Sequence, residues 1–189
     1  MEKHFYSARP EIITQLVRLL HNDSEADLCL KTIVLKTLRV LARNSVSTGR
    51  QRSEFSRFHQ ILKSLGSNLN HGILLTLYRE NVAMMQSREI TLDEMYYTQA
   101  LHRLVREFLE TPQGASNLGF AGIVPSMVDV LRVNKKSSWN IVAALADTFA
   151  NLFGRSRDRH NDLVPLFVNA DGLPVVIRAI KVFTFVSSD

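Results

Sequence analysis

The sequence predicts an all-α protein whose helices stack in layers. Apolar residues recur with the spacing of a helix face along nearly the whole chain. Proline and glycine are few, five and eight in 189 residues, and they cluster between the periodic segments. The polar–apolar alternation of a β-strand is approached only in the short runs VPLFV and LPVVI. We therefore expect a fold made of helices alone.

The periodic segments define the individual helices. We expect helices at residues 8–21, 24–44, 52–66, 70–87, 91–110, 122–134, 137–154 and 171–184, with short helical turns near 113–119 and 161–168. Before the second helix, the segment NDSEAD offers Asp23 or Ser24 as the N-cap. Thr91 followed by Glu94 three residues later is the pattern of a capping box.

The helix from Asp27 to Arg43 is predicted to lie at the centre of the fold. Its apolar residues cover most of the helix circumference, and only a narrow polar arc remains, formed by Thr32, Lys36, Arg39 and Arg43. A helix that is apolar almost all round is packed on several sides. Cys29, between Leu28 and Leu30, is therefore expected to be a small buried hydrophobe and not a reactive thiol.

A repeat of 50 residues divides the chain. Gly72, Gly122 and Gly172 are 50 residues apart, and each opens an apolar helix: HGILLTLYR, AGIVPSMVDVLR and DGLPVVIRAIK. Ile73, Ile123 and Leu173 follow the glycines, and Leu77, Met127 and Ile177 lie five residues beyond them. The run FAGIVPSMVDVLR is similar to the start of the last helix of an armadillo repeat. Because the period exceeds the usual ~40–47 residues, we expect one irregular armadillo/HEAT-like α-solenoid segment over residues 1–189, with joints near the three glycines.

The histidines do not form a pattern typical of catalysis or metal binding. None of the six is paired at i, i+4, and no H-E-x-x-H motif is present. His71 lies between Asn70 and Gly72, which are turn and cap formers, so we expect it to satisfy backbone groups at a helix entrance. Phosphate loops, dinucleotide fingerprints and nucleophile elbows are also missing. The sequence predicts no catalytic site, metal, cofactor or small-molecule ligand.

Basic residues form the best candidate for a partner-binding site. The chain carries a net charge of +5, and Lys36, Arg39 and Arg43 share one helix edge, continued by Arg50, Arg52 and Arg57. Such a stripe suits an acidic peptide or a nucleic acid, because extended solenoid surfaces accept elongated partners. The alternative interpretation is a solvated face that serves solubility.

The glycine-centred segments carry a resemblance to a known family. LGSNLNHGILLTLYREN, GFAGIVPSMVDVLR and LFVNADGLPVVIRAIK resemble the armadillo-like N-terminal region of the giant HECT-type ubiquitin ligases, the Huwe-like family and its fungal relatives. The resemblance extends from about Leu41 to Lys181. It implies a non-catalytic segment that holds protein substrates, or an acidic segment of the parent chain, while a distant C-terminal domain performs ubiquitin transfer.

Two functions remain open from the sequence. The first is this ligase scaffold; the second is an independent armadillo-like adaptor that binds acidic peptides or nucleic acid. The start MEKHFYSARPEII lacks an apolar signal core, and no apolar run approaches the ~18 residues of a membrane span. With a single cysteine, an internal disulfide is excluded. We therefore expect a cytoplasmic or nuclear protein without membrane contact.

Overall fold

The computed structural model of the protein describes residues 11–21, 24–47, 61–65, 72–133, 135–154 and 163–186. All regular structure in these ranges is helical, which confirms the all-α prediction. The helices are α1 (Glu11–Arg18), α2 (Leu28–Ser47), α3 (Ile73–Ser87), α4 (Leu92–Leu109), α5 (Pro112–Ala121), α6 (Ile123–Leu131), α7 (Trp139–Gly154), α8 (Leu163–Asn169) and α9 (Gly172–Val186). Residues 61–65 are also helical, and a 3₁₀ turn at Lys136–Ser138 precedes α7.

Two helices differ from the prediction because of their caps. The segment expected as a short turn near 113–119 is a complete helix, α5, since Thr111 caps it and Pro112 occupies its first turn. Helix α2 starts later than predicted, because Asp27 is its cap: the Leu30 backbone N–H donates to Asp27 Oδ1 at 2.7 Å. The Ser24 hydroxyl lies instead near the carbonyl oxygens of the preceding turn, and Asp23 is outside the described residues.

The N-terminus of α4 has the predicted capping box. The Glu94 backbone N–H donates to Thr91 Oγ1 at 3.3 Å, and the Thr91 backbone N–H donates to Glu94 Oε2 at 2.8 Å. Two backbone donors that the first helical turn leaves unpaired are thereby satisfied. The start of α4 is thus fixed by local sequence.

The longer helices pack in two rows. In one row α2 packs on α4 and α4 packs on α7; in the other α3 packs on α6 and α6 packs on α9. The rows meet where α3 contacts α4 and α6 contacts α7, and the short helices α5 and α8 pack against α6. Leu35, Leu38, Leu104 and Phe108 are fully buried in the continuous core. Burying each such side chain contributes roughly 1.5–3 kcal/mol.

The expectation that α2 is packed on several sides is wrong for the described residues. Leu30, Ile33 and Val40 are 41%, 54% and 56% exposed, and Cys29, expected to be buried, is exposed as well. The physical reason is position. Helix α2 lies at the end of its row, where α4 and α1 are the described helices with the most extensive packing on it, and part of its apolar surface stays exposed.

The three glycines that mark the repeat have different geometries. Gly72 and Gly122 adopt positive φ angles of 86° and 88°, which favour glycine. At the third joint the positive φ of 59° belongs to Asp171. A Cβ on Gly172 would overlap the Phe167 ring, so glycine there permits close packing. His71 lies outside the described residues.

Candidate interaction surface

Helices α2, α4 and α7 run parallel, which aligns their exposed faces. Near the helix starts, Lys31 of α2 lines the same cleft as Tyr97 of α4, and further along Arg39 reaches Glu107. The turns before α4 and α7 also meet, because the Ile90 backbone N–H donates to Ser137 Oγ at 3.4 Å. The exposed residues of these three helices therefore form one surface.

The structure divides the predicted basic stripe. Lys36 and Arg43 are exposed, but the Arg39 guanidinium is partly covered and its Nε donates to Glu107 Oε2 at 3.3 Å. Thr32, assigned to the same polar arc, is buried and donates to the Leu28 carbonyl oxygen. Arg39 thus ties α2 to α4 through an ion pair. Arg50, Arg52 and Arg57 lie outside the described residues.

Helix α4 adds residues that sequence reasoning missed. Tyr96 and Arg103 are exposed on its outward face. Because Arg39 meets Glu107, Lys36 lies about level with Arg103 in the parallel pair. The signal was present in the sequence, since Leu92, Tyr96 and Arg103 recur at helix-face spacing.

We name Lys36, Arg43, Tyr96 and Arg103 the α2–α4 patch. Its three cations form no ion pair with any residue that the structure describes. From the level of Tyr96 to that of Arg43 the patch spans about 22 Å along the helices, the length of roughly seven residues of extended chain.

Towards α7 the surface becomes charge-balanced. Arg106 donates to Glu110 at 3.0 Å on its own helix and to Asp147 of α7 at 3.2 Å. These pairs are largely exposed, so each contributes little to stability. They do place two carboxylates beside Arg106. The uncompensated positive charge of the surface therefore lies on α2 and the adjoining edge of α4.

A buried histidine ties the supporting helices together. His102 of α4 is 4% exposed; its Nε2 lies 3.0 Å from Thr148 Oγ1 of α7, and its Nδ1 lies 3.4 Å from the Tyr78 hydroxyl of α3. The Thr148 hydroxyl donates to the Ala144 carbonyl oxygen at 2.8 Å, so it accepts from His102 Nε2–H. This leaves Nδ1 to accept from the Tyr78 hydroxyl. The arrangement requires a neutral imidazole.

Burial controls the pKa values of this network. Burial, opposed by a backbone hydrogen bond at Ala144 and aided by the nearby charges of Arg106 and Arg103, lowers the pKa of His102 to about 4. Burial also raises the pKa of Tyr78 above its usual range. Both rings are therefore neutral near pH 7. The network has the character of a structural joint between three helices.

The pKa of Glu94 is also perturbed, and the cause is local. The Arg88 guanidinium donates two hydrogen bonds to its carboxylate and, with the Thr91 backbone N–H, lowers the pKa of Glu94 to about 2. The carboxylate is committed to this pair and to the cap of α4. It is not available as a catalytic acid near neutral pH.

One cleft of about 190 Å³ opens between α2, α3 and α4. Its lining mixes Leu28, Lys31, Leu77, Glu80, Asn81, Met84, Glu94 and Tyr97. The volume is below the ~300–1,000 Å³ of typical small-molecule sites. Two of the polar side chains that line the cleft already have hydrogen-bond partners. Lys31 donates to the His21 carbonyl oxygen, and Asn81 accepts from the Thr98 hydroxyl.

Nowhere in the described ranges do three or more His, Cys, Asp or Glu side chains gather closely enough to hold a metal ion. Taken singly, none of the described helices has the length and apolar composition of a membrane span. The pair Pro112–Ala121 and Ile123–Leu131 meets those two criteria jointly, but it is bent by 78°.

Comparison with known proteins gives no relative for this chain: no family model, no curated protein and no solved structure matches it.

Proposed function

We propose that this chain is a non-catalytic, partner-binding scaffold segment from the N-terminal region of a HECT-type ubiquitin ligase. Its two rows of helices would be part of an irregular armadillo/HEAT-like α-solenoid. Support comes from the 50-residue recurrence of Gly72, Gly122 and Gly172 and from the segments around them that resemble this ligase region. The successive stacking of α3, α6 and α9 is what such a repeat requires.

The α2–α4 patch is the observation that carries the partner-binding function. Lys36, Arg43 and Arg103 project from the parallel helices α2 and α4, which the Arg39–Glu107 pair joins. The His102 network anchors α4 in turn to α3 and α7. Exposed cations on a rigid surface attract an anionic partner through electrostatic steering. The patch suits a short extended acidic segment, on a protein substrate or elsewhere in the parent chain. Tyr96 adds an apolar ring for a neighbouring side chain.

Peptide binding tests this function. The probe is a fluorescein-labelled ten-residue peptide rich in glutamate, with the glutamine version as the uncharged control. We expect the double variant Lys36→Glu/Arg43→Glu to bind the acidic peptide at least about tenfold more weakly than the wild type, because two attractions become repulsions. Binding of the wild type should also weaken as salt is raised from low to physiological ionic strength.

A matched control separates the patch from net charge. Arg79 and Arg178 are exposed cations on α3 and α9, in the other helix row, so Arg79→Glu/Arg178→Glu changes the net charge equally at another surface. This variant should bind the acidic peptide like the wild type. Equal losses in both variants would contradict a specific patch. Duplex DNA and single-stranded RNA belong in the same titration, and their preference over the peptide would favour the adaptor function instead.

A further inference from the structure

The outward side of α2 carries an exposed apolar stripe. Leu30, Ile33 and Val40 are 41%, 54% and 56% exposed. Thr37 lies between Ile33 and Val40, and its hydroxyl donates to the Ile33 carbonyl oxygen at 2.9 Å, so its polar group is satisfied within the helix. We name Leu30, Ile33, Thr37 and Val40 the α2 stripe. Large apolar side chains that are grouped in this way mark interaction sites more often than scattered ones do.

The spacing of the α2 stripe is that of a seam between two helices. Its successive members lie three, four and three residues apart, as the a and d positions of a heptad do. Such residues insert between the side chains of one neighbouring helix. The stripe extends about 15 Å along α2, which is nearly three helical turns. Its shape therefore suits a single helix that lies along α2.

Two cations flank the α2 stripe. Lys36 and Arg43 are exposed, and each follows an exposed apolar residue of the stripe by three positions, which makes the two side chains surface neighbours. In the heptad that starts at the first residue of the stripe they occupy the g positions, whose charges determine which helix is accepted. Neither cation forms an ion pair with a described residue. The flank of the stripe therefore favours a helix with acidic residues on the facing edge.

We propose that the α2 stripe binds a helix of a partner protein that carries aliphatic residues at heptad spacing and acidic residues along one edge. The aliphatic residues cover the stripe, and the acidic edge lies against Lys36 and Arg43. The bound helix adds one member to the row formed by α7, α4 and α2. This inference rests on the proposed function in one respect, because the same two cations meet acidic residues. It differs in that the bound segment is helical and needs the apolar side chains of the stripe.

Binding of a designed helical peptide to the full chain tests the proposal. The probe is a fluorescein-labelled peptide of three heptads with leucine at a and d and glutamate at e and g, and the control peptide carries lysine in place of each glutamate. We expect the glutamate peptide to bind at least about tenfold more tightly, because Lys36 and Arg43 attract it and repel the lysine peptide. The far-UV circular dichroism of the mixture should exceed the sum of the separate spectra, because the peptide becomes helical as it binds.

Substitutions separate the α2 stripe from the cations beside it. Ile33→Gln/Val40→Gln removes two exposed apolar side chains, and glutamine keeps a high helix propensity. This variant should bind the glutamate heptad peptide at least about tenfold more weakly than the wild type, but it should bind the ten-residue acidic peptide equally well. The matched control is Leu173→Gln/Ile177→Gln, which alters an equally exposed apolar pair on α9. The control should bind both peptides like the wild type, and circular dichroism checks that each variant is folded.

The two peptides distinguish failure of this inference from failure of the proposed function. Binding of the heptad peptide without binding of the ten-residue peptide would contradict the extended acidic segment and support the helix site. No binding of the heptad peptide, equal binding by the wild type and Ile33→Gln/Val40→Gln, or equal losses in the two glutamine variants would overturn the helix site. So would self-association of the wild type that Ile33→Gln/Val40→Gln abolishes, since a second copy of the chain would then occupy the α2 stripe.

Discussion

Gly122 and Gly172 occupy equivalent places in the repeat but meet different physical demands. Gly122 ends α5 in the left-handed region, and a Cβ there would find ordinary space beside Arg79. Glycine is therefore favoured at position 122 by the backbone conformation. Gly172 opens α9 against Phe167, whose ring packs 4.6 Å from Phe149 between ring centroids. Glycine is therefore favoured at position 172 because there is no room for a larger side chain.

Alanine at Gly172 should therefore destabilise the protein by overpacking. We expect Gly172→Ala to lower the free energy of unfolding by roughly 1–3 kcal/mol, measured by urea denaturation. Phe167→Leu makes room for the new methyl group, so the double variant should lose less stability than the sum of the two single changes. Strict additivity would contradict the steric explanation.

At Gly122 the left-handed conformation predicts that Asn is tolerated better than Ala.

The buried His102 should make stability depend on pH. Its pKa is about 4 in the folded protein against 6.5 for the free side chain, so the unfolded chain binds more protons between these values. The free energy of unfolding should therefore fall as pH is lowered from about 6.5 to 4, by at most about 3 kcal/mol from this residue.

Urea denaturation across this pH range, with His102→Gln for comparison, checks the effect. The variant should be less stable at neutral pH, because the hydrogen bonds of His102 to Thr148 and Tyr78 are disturbed. Its stability should nevertheless vary less with pH, since glutamine does not titrate. Parallel pH profiles for the two proteins would show that His102 is not the titrating group.

At the scale of the element, the start of α4 depends on its capping box. Thr91→Ala removes the side-chain acceptor of the Glu94 backbone N–H, and we expect a loss of about 1 kcal/mol in the free energy of unfolding. Thr37→Ala is the matched control, because Thr37 lies inside α2 and its hydroxyl donates to a carbonyl oxygen one turn earlier. That change should be neutral or slightly stabilising, since alanine is the better helix former. Equal losses would contradict the capping explanation.

The sequence predicted the positions of the helices well but the exposure of their side chains less well. Periodicity located α3, α4 and α7 within a few residues, because an amphipathic face repeats many times along a helix. The start of α2 was misplaced, since the segment NDSEAD offers several competing caps. The exposure of Cys29 and Ile33 could not be predicted, because a helical wheel shows which residues are apolar but not how many neighbours the helix has.

The candidate site was only partly predictable for a similar reason. Lys36 and Arg43 follow from helix spacing within α2. The pairing of Arg39 with Glu107 and the proximity of Arg103 depend on the register of α2 against α4. This register is set by packing between residues 68 positions apart in the chain. A single helix therefore predicts a stripe, whereas the two-helix patch requires the tertiary fold.

The proposed scaffold role excludes ubiquitin transfer by this chain. With ubiquitin, activating enzyme and conjugating enzyme, the protein should form no thioester, because the transfer cysteine of such a ligase would belong to its distant C-terminal domain. Cys29 is exposed, so inaccessibility is not the reason. Non-reducing electrophoresis with and without thiol checks the result. A reducible ubiquitin adduct that disappears in Cys29→Ser would contradict the non-catalytic role.

The proposed acidic partner would bind the exposed faces of α2 and α4. Nuclear magnetic resonance titration of the isotope-labelled protein with the glutamate-rich peptide tests this binding most directly, because backbone amide shifts locate the contact. We expect the largest changes around Lys36, Arg43, Tyr96 and Arg103, with little change on α6 and α9, and the loss of these changes in Lys36→Glu/Arg43→Glu. Saturable changes centred on α6 or α9, or none on α2 and α4, would contradict it.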